Sequence, residues 1–162
     1  MSDRLNVTKT NATEINVTEL DAPQSQWIAP GTLAVEQALQ LSPVALAYIG
    51  DAVYELYVRS SLLFPAKPID RYHRQVVAQV CAEGQVQQLS DCFSYLDDSE
   101  KEVVRRGRNA AVRANRKSDP LYRKATGLEA LVGYLYLTNP DRLEQLWRYF
   151  DFSIGNGVEN RE

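Results

Sequence analysis

Two long apolar segments, at residues 43–63 and 122–138, restrict what this chain can fold into. The apolar residues of the first segment spread widely around a helical circumference, which is typical of a central helix buried on most sides. No alternation of apolar and polar residues indicates a strand, and no internal repeat is visible. The sequence therefore predicts an all-α fold that contains these two helices.

Capping residues and prolines divide the chain into helices. We expect Thr32 to cap a short helix, and Ser42 followed by Pro43 to begin the first long helix, which should stop before Pro65. The predicted helices span residues 32–39, 43–64, 68–89, 97–116, 122–138 and 140–152. Residues 117–120 mark a break in this pattern.

The length of 162 residues and the apolar share of 44% fit one folded domain. We assign residues 1–30, rich in Asn and Thr, to a disordered arm, residues 31–155 to the domain and residues 156–162 to a frayed tail. No segment has the pattern of a membrane span or a signal peptide, so we expect a cytosolic protein without a membrane partner. Cys81 and Cys92 lack metal-ligand spacing and are interpreted as apolar residues.

A basic block lies within a chain whose net charge is −3. Residues 101–124 hold nine basic and two acidic side chains, which gives the block +7 and leaves −10 for the rest of the chain. Such a block is a candidate binding site for a polyanion, because its cations can neutralise several phosphates. The alternative is a solvated helix face or a charged loop.

Two carboxylates lie in apolar surroundings. Asp51 lies in the first apolar segment, where periodicity predicts burial, and Glu129 has an equivalent position in the second. A buried carboxylate is costly without a partner. If the two helices pack side by side, Asp51 and Glu129 can share a hard divalent cation that activates water at a phosphodiester. The alternative is that each carboxylate pairs with Arg or Lys, or caps a neighbouring group.

The segments around both carboxylates resemble those of ribonuclease III. The signature helix of that family, L-E-F-L-G-D-A-V-L-E-L, is similar to LAYIGDAVYEL around Asp51, and its second helix, F-E-A-L-I-G-A-L-Y-L, is similar to GLEALVGYLYL around Glu129. Three segments also resemble a small branch of the family called Mini-III, which consists of the catalytic domain alone. They are IDRYHRQVVAQVCAEGQ, VVRRGRNA and YRKATGLEALVGYLYL. The resemblance covers about residues 40–150.

This resemblance implies the helical bundle of a ribonuclease III endonuclease domain, which cleaves double-stranded RNA and leaves 5′-phosphates. It makes Asp51 and Glu129 the catalytic carboxylates and the ligands of Mg²⁺. Three acids of the larger enzymes are replaced here by Val44, Ala47 and Thr126, a thinner set that Mini-III shares. The substrate implied for Mini-III is the precursor of the large-subunit (23S) ribosomal RNA.

Mini-III lacks the double-stranded-RNA-binding domain of the larger enzymes, so its catalytic domain needs its own contacts to RNA. The resemblance therefore gives the basic block a role. The expected contacts are Arg105, Arg106, Arg108, Asn109, Arg113, Arg116, Lys117 and His73. Gly107 and the break at residues 118–120 suggest that part of this block is a flexible basic loop that follows an A-form helix.

Assembly is also implied by the resemblance. We expect a homodimer in which the signature helices of two copies pack across a two-fold axis, with Leu46, Tyr48 and Ile49 at the interface. A ribosomal protein is a candidate partner. The alternative function is a non-catalytic module that binds double-stranded RNA or the ribosome with the same fold.

Overall fold

The computed structural model describes residues 28–114 and 119–152, and for residues 111–114 it describes the backbone alone. These residues form seven α-helices and no strand, which confirms the predicted all-α class. In chain order the helices are α1 (Val35–Gln40), α2 (Pro43–Ser61), α3 (Ile69–Val80), α4 (Ala82–Cys92), α5 (Asp98–Ala114), α6 (Pro120–Thr138) and α7 (Pro140–Trp147). None of them is long and apolar enough to cross a membrane.

Helix α6 lies at the centre of the fold. Nearly every residue from Ala125 to Leu137 is buried, because α2, α4, α5, α1 and α7 all pack against this helix. The prediction that the first long helix is buried on most sides is wrong for α2. That helix buries a single stripe that includes Leu46, Gly50 and Tyr54, whereas Tyr48 on its other side is 82% exposed. Its wide spread of apolar residues therefore reflects two faces, of which only one contacts the core.

Helices α2 and α6 cross in backbone contact at two glycines. A Cβ atom on Gly50 would overlap the carbonyl oxygen of Glu129, and a Cβ on Gly133 would overlap the carbonyl oxygen of Leu46. Glycine is required at both positions because any side chain would push the helices apart. The crossing consequently holds the backbone of Glu129 directly against the residue that precedes Asp51.

A second close crossing joins α5 to α6. A Cβ on Gly107 would lie 2.8 Å from the Cβ of Ala130 and 2.9 Å from the carbonyl oxygen of Thr126. Gly107 is buried within a continuous helix, so the prediction of a flexible loop at this residue is wrong. The glycine permits close packing here, and the exposed basic residues around it lie on a helix.

The predicted cap at Ser42 is confirmed, because its hydroxyl accepts a hydrogen bond from the backbone N–H of Ala45 at 3.1 Å. Helix α6 begins at Pro120, two residues before the predicted start, and Asp119 in the predicted break caps it by accepting from the N–H of Leu121. The predicted cap at Thr32 is wrong, because its hydroxyl donates to the carbonyl oxygen of Ala29 and α1 begins only at Val35.

The predicted helix at residues 68–89 is two helices, α3 and α4, which are separated by Cys81 in an extended conformation. Gly84 sits at this corner, where an added Cβ would lie 2.5 Å from the carbonyl oxygens of Ala78 and Gln79. The sequence has no proline here that would end a helix, so the corner shows only in the folded structure. As a result α4 turns and packs against α6.

The last helix is shorter than predicted, since α7 ends at Trp147 and not near residue 152. The chain then runs back over α4, where the buried Gln88 donates to the carbonyl oxygen of Asp151 at 2.8 Å and accepts from its N–H at 2.9 Å. These two hydrogen bonds satisfy a buried amide that would otherwise be costly, and they fix α4 relative to the C-terminal segment.

We expect Gly50→Ala to lower the free energy of unfolding by about 3 kcal/mol, because its methyl group has to separate α2 from α6. Chemical denaturation measures this change. The control is Ala45→Ser on the exposed side of α2, which should cost less than about 1 kcal/mol. Equal stability of the two variants would contradict the backbone contact.

Candidate active site

The glycine crossing brings Asp51 and Glu129 together. Glu129 projects from the turn of α6 that contacts Gly50, and Asp51 is the next residue on α2. Burial raises the pKa of Glu129 from 4.5 to about 7, and the negative charge of Asp51 contributes to this rise. The structure thus confirms that the two predicted carboxylates are neighbours.

Asp51 is more accessible than predicted. The sequence pattern indicated burial, but Asp51 lies at the exposed edge of the stripe formed by Gly50 and Tyr54. Partial burial raises its pKa above the ordinary value, and the nearby Glu55 adds to the effect. The pair therefore has one half-buried and one accessible carboxylate, an arrangement that leaves it open to a ligand from solvent.

Gln85 is a site residue that sequence reasoning missed. Its side chain is 2% exposed on α4 and interacts with the carboxyl group of Glu129, which lowers the pKa of that group against the larger effect of burial. A glutamine in a polar segment carries no sequence signal for this role. Only the turn at Cys81, which directs α4 toward α6, places Gln85 beside Glu129.

No basic side chain neutralises the pair within the described part of the chain. Neither Asp51 nor Glu129 forms an ion pair there, and no cation lowers either pKa. The nearby Glu55 pairs instead with Arg59 on its own helix. The alternative in which each carboxylate pairs with Arg or Lys is therefore not observed among these residues.

The donor set fits a hard divalent cation. Two carboxylates supply oxygen atoms, which Mg²⁺ prefers, and this ion commonly keeps several of its waters. In residues 28–114 and 119–152 there is no group of three or more His, Cys, Asp or Glu side chains suited to a metal. The Asp51–Glu129 pair is thus the candidate metal site, with the remaining coordination left to water and substrate.

The positions of the replaced family acids add no carboxylate to this pair. Ala47 and Thr126 are buried, and the Thr126 hydroxyl donates to the carbonyl oxygen of Tyr122 at 3.0 Å. Val44 is exposed on the opposite side of α2 from the core. The fold therefore places no carboxylate at any of the three positions where the larger enzymes of the family have one.

The predicted RNA contacts differ in whether their side chains already have a partner within the protein. Arg105 pairs with Glu102 at 2.6 Å, and Arg106 donates to the carbonyl oxygen of Leu39 at 3.1 Å. Asn109 is exposed on the same helix. The side chain of Arg113 and the whole of Arg116 and Lys117 lie outside the described residues.

Arg108 shares a pocket with a second cation, Lys124, which was not among the predicted RNA contacts. Arg108 and Lys124 line a small open pocket of about 170 Å³ between α4, α5 and α6, together with Ser90 and Phe93. None of the described residues that line this pocket is acidic. Lys124 lies five residues before Glu129, which is about 7.5 Å along the axis of α6. The pocket therefore joins two cations from different helices, and one of them lies on the same helix as Glu129.

His73 is exposed on α3. No hydrogen bond or ion pair among the described residues links it to Asp51 or Glu129. The structure does not bring it into the carboxylate pair, and a contact of His73 with RNA stays a prediction.

The exposed side of α2 carries an apolar surface beside Asp51. Its members are Val44, Tyr48, Ile49 and Leu56. The prediction that Leu46 lies at an interface is wrong, because Leu46 is 1% exposed within the single chain and packs in its core. Tyr48 and Ile49 remain available for such a contact.

Comparison with known proteins places these features in a family. The family model described as the ribonuclease III domain matches residues 44–140. A Mini-ribonuclease 3 of Synechocystis sp. is 59% identical over 107 residues, which cover 65% of this chain and 75% of the relative. One from Thermosynechococcus vestitus is 49% identical over 125 residues, covering 76% of this chain and 83% of the relative.

A solved structure gives the same result for the fold. A crystal structure of a protein from Fusobacterium nucleatum matches with a TM-score of 0.62 and 26% identity. The match covers 72% of this chain and 95% of the other. The overall arrangement of helices is therefore shared with that protein.

The raised pKa of Glu129 predicts how stability without metal depends on pH. The folded protein retains a proton up to about pH 7 that the unfolded chain loses near pH 4.5, so the free energy of unfolding falls as pH rises between these values. In EDTA at pH 8 we expect Glu129→Gln to be more stable than wild type by about 2 kcal/mol, after solvent screening of the half-buried group is allowed for.

At pH 4 the difference between wild type and Glu129→Gln should become small, because the carboxyl group is then mostly neutral in both folded and unfolded states. Urea denaturation at both pH values measures it. Glu144→Gln, at an exposed position on α7, is the control and should show no such dependence on pH. A Glu129→Gln advantage that is equal at pH 4 and pH 8 would contradict the assigned cause.

Proposed function

Because this chain belongs to the ribonuclease III family, in its Mini-ribonuclease 3 branch, we propose that it is a magnesium-dependent endonuclease whose catalytic carboxylates are Asp51 and Glu129. Membership of the family makes it a ribonuclease that cuts within double-stranded RNA. The observation that carries the catalytic assignment is the adjacent carboxylate pair with no basic partner in the described residues.

Asp51 and Glu129 would hold Mg²⁺, which supplies positive charge for the phosphodiester and promotes ionisation of a water nucleophile. The protein's part is to present two ionised oxygens at a fixed separation. The backbone contact at Gly50 fixes the two helices, and the accessible Asp51 leaves room for a phosphate group. Hydrolysis then leaves a 5′-phosphate on one product.

The exposed cations of α5 and the pocket of Arg108 and Lys124 support a path for the RNA backbone. Arginine forms paired hydrogen bonds with phosphate, and an A-form helix is recognised mainly through its shape and backbone. Arg105 and Arg106 remain proposed contacts, although each has a partner within the protein. Arg108 and Lys124 are the stronger proposals because neither forms an ion pair among the described residues.

The proposed natural substrate is the 23S ribosomal RNA precursor, whose paired ends form a duplex that such an enzyme can trim. This assignment rests on the Mini-III resemblance, as do the cytoplasmic location and a ribosomal protein as partner. The rival function is a non-catalytic RNA-binding or ribosome-binding module. The retained carboxylate pair favours the enzyme, because a surface that only binds phosphate gains nothing from two acids beside it.

We further propose a homodimer formed through the exposed apolar side of α2. Tyr48, Ile49 and Leu56 lie on this surface, and burying such side chains against a second copy is favourable. A two-fold axis at α2 would place one Asp51 near each strand of a duplex. Sedimentation equilibrium decides between the mass of one chain and of two.

The test of catalysis is cleavage of a long double-stranded RNA with Mg²⁺. We expect wild type to cut, and expect Asp51→Asn and Glu129→Gln to lose at least about 100-fold in rate while still binding RNA, because each removes a charged ligand. Glu55→Gln is the matched control, since Glu55 is paired with Arg59. It should retain the wild-type rate within about threefold.

Wild-type protein that binds the duplex without cutting it would favour the rival module. Variants that cut as fast as wild type would show that other residues carry the reaction. Circular dichroism and the sedimentation mass should first establish that each variant is folded and assembled as wild type is.

The salt dependence of RNA binding tests the two pocket cations. In EDTA, which prevents cleavage, Arg108→Gln and Lys124→Gln should each reduce the slope of log affinity against log salt by about 1. Arg148→Gln, which removes an exposed charge at the C-cap of α7, is the control and should leave the slope unchanged. Equal slopes for all three variants would exclude the pocket from the RNA path.

A further inference from the structure

The pocket between α4, α5 and α6 has an apolar lining as well as its two cations. The apolar members of this lining are Val86, Leu89, Phe93 and Val104. Leu89 and Val104 are buried and form the floor, whereas Phe93, which directly follows α4, is 43% exposed. Contacts to an RNA backbone need only exposed cations and polar groups. The phosphate contacts proposed above therefore leave the apolar part of this pocket unexplained.

The pocket has room for one six-membered ring. Its volume is about 170 Å³, and an apolar cavity of about 150 Å³ holds a benzene molecule. A pyrimidine base has a ring of this size, whereas the second ring of a purine would extend beyond the pocket. Phe93 offers an aromatic face on which a base can stack. Ser90 donates its hydroxyl proton to the carbonyl oxygen of Val86 at 2.9 Å, so its oxygen can still accept from an N–H of the base.

The two cations lie beside this ring-sized space. Arg108 and Lys124 are exposed, and neither forms an ion pair within the described part of the chain. A Cβ on Gly127 would lie only 2.9 Å from the Cγ of Arg108, so the missing side chain allows the stem of Arg108 to lie against α6. The guanidinium and the ammonium can thus bind one phosphate next to a bound ring.

We propose that this pocket binds a pyrimidine nucleoside 5′-monophosphate, as an unpaired nucleotide of RNA, with the base against Phe93 and the phosphate between Arg108 and Lys124. The RNA source of the nucleotide rests on the proposed function, to which the pocket adds a contact with a base. An unpaired base costs little to withdraw from the helical stack, and the aromatic side chain replaces the stacking that it loses. A free nucleotide presents the same groups, so the experiment has to separate the two sources.

The first measurement is a titration of the protein with UMP in EDTA, followed by NMR through the backbone amide signals. We expect saturable binding with a Kd of about 1 mM or tighter, and shifts of the signals of Phe93 and Lys124. Inorganic phosphate lacks the ring, and AMP has a base too large for the pocket. Each should bind at least about fivefold more weakly than UMP.

Variants of the pocket test the contact with the base. Phe93→Ala removes the stacking surface and should weaken UMP binding about 10-fold or more. Ser90→Phe, at an exposed position, fills the pocket with a ring and should abolish UMP binding. The matched control is Tyr95→Ala, which removes an exposed aromatic side chain that does not line the pocket. It should bind UMP within about twofold of wild type, and circular dichroism establishes that each variant is folded.

Duplex RNAs with and without one unpaired uridine separate the two sources. In EDTA, wild type should bind the duplex with the unpaired uridine about 5- to 10-fold more tightly than the fully paired duplex. Phe93→Ala should lose this preference and keep its affinity for the fully paired duplex. Binding of UMP without a preference for the unpaired uridine would overturn the RNA source and assign the pocket to a free nucleotide.

Inorganic phosphate that binds as tightly as UMP would overturn the contact with a base, and so would unchanged UMP affinity in Phe93→Ala and Ser90→Phe. These outcomes are distinct from failure of the proposed function, in which wild type neither binds nor cuts paired RNA. Wild type that cuts duplex RNA but does not bind UMP would reject only the inference on this pocket.

Discussion

The site depends on the backbone contact between α2 and α6 at Gly50 and Gly133. Helices that pack through side chains usually lie about 8–10 Å apart. Where glycines remove those side chains, polar groups on the two helices can meet at the edge of the contact. Asp51 and Glu129 do so, and the buried surface around them offsets the cost of holding Glu129 in a poorly solvated place. The carboxylate pair is thus a product of close helix packing.

Sequence reasoning succeeded where the cause is local or where a resemblance supplied it. Ser42 caps α2 through a hydrogen bond to a residue three positions away, and such a bond needs no tertiary structure. Asp51 and Glu129 stood out because they interrupt apolar segments. Gly107 was misread, because a glycine that allows close approach between helices has the same sequence signature as one in a flexible loop.

Other features could not be predicted because their partners are distant in the chain. Gln85 comes beside Glu129, 44 positions later in the chain, only because α4 turns and packs against α6. The basic block was predicted as a unit, but the fold divides it. Arg105 is paired within α5, whereas Arg108 meets Lys124 across a pocket that periodicity cannot show. The net charge of the basic block reveals neither the ion pair of Arg105 nor the pocket of Arg108 and Lys124.

The tie between Gln88 and Asp151 also has a consequence for synthesis on the ribosome. The two residues are 63 positions apart, and the chain emerges from its N-terminus. Until Asp151 is available, the buried amide of Gln88 has only Gln79 as a partner, and α4 lacks one of its anchors. Helix α4 therefore gains this anchor late, and the surroundings of Glu129 are complete only when almost all of the protein has been translated.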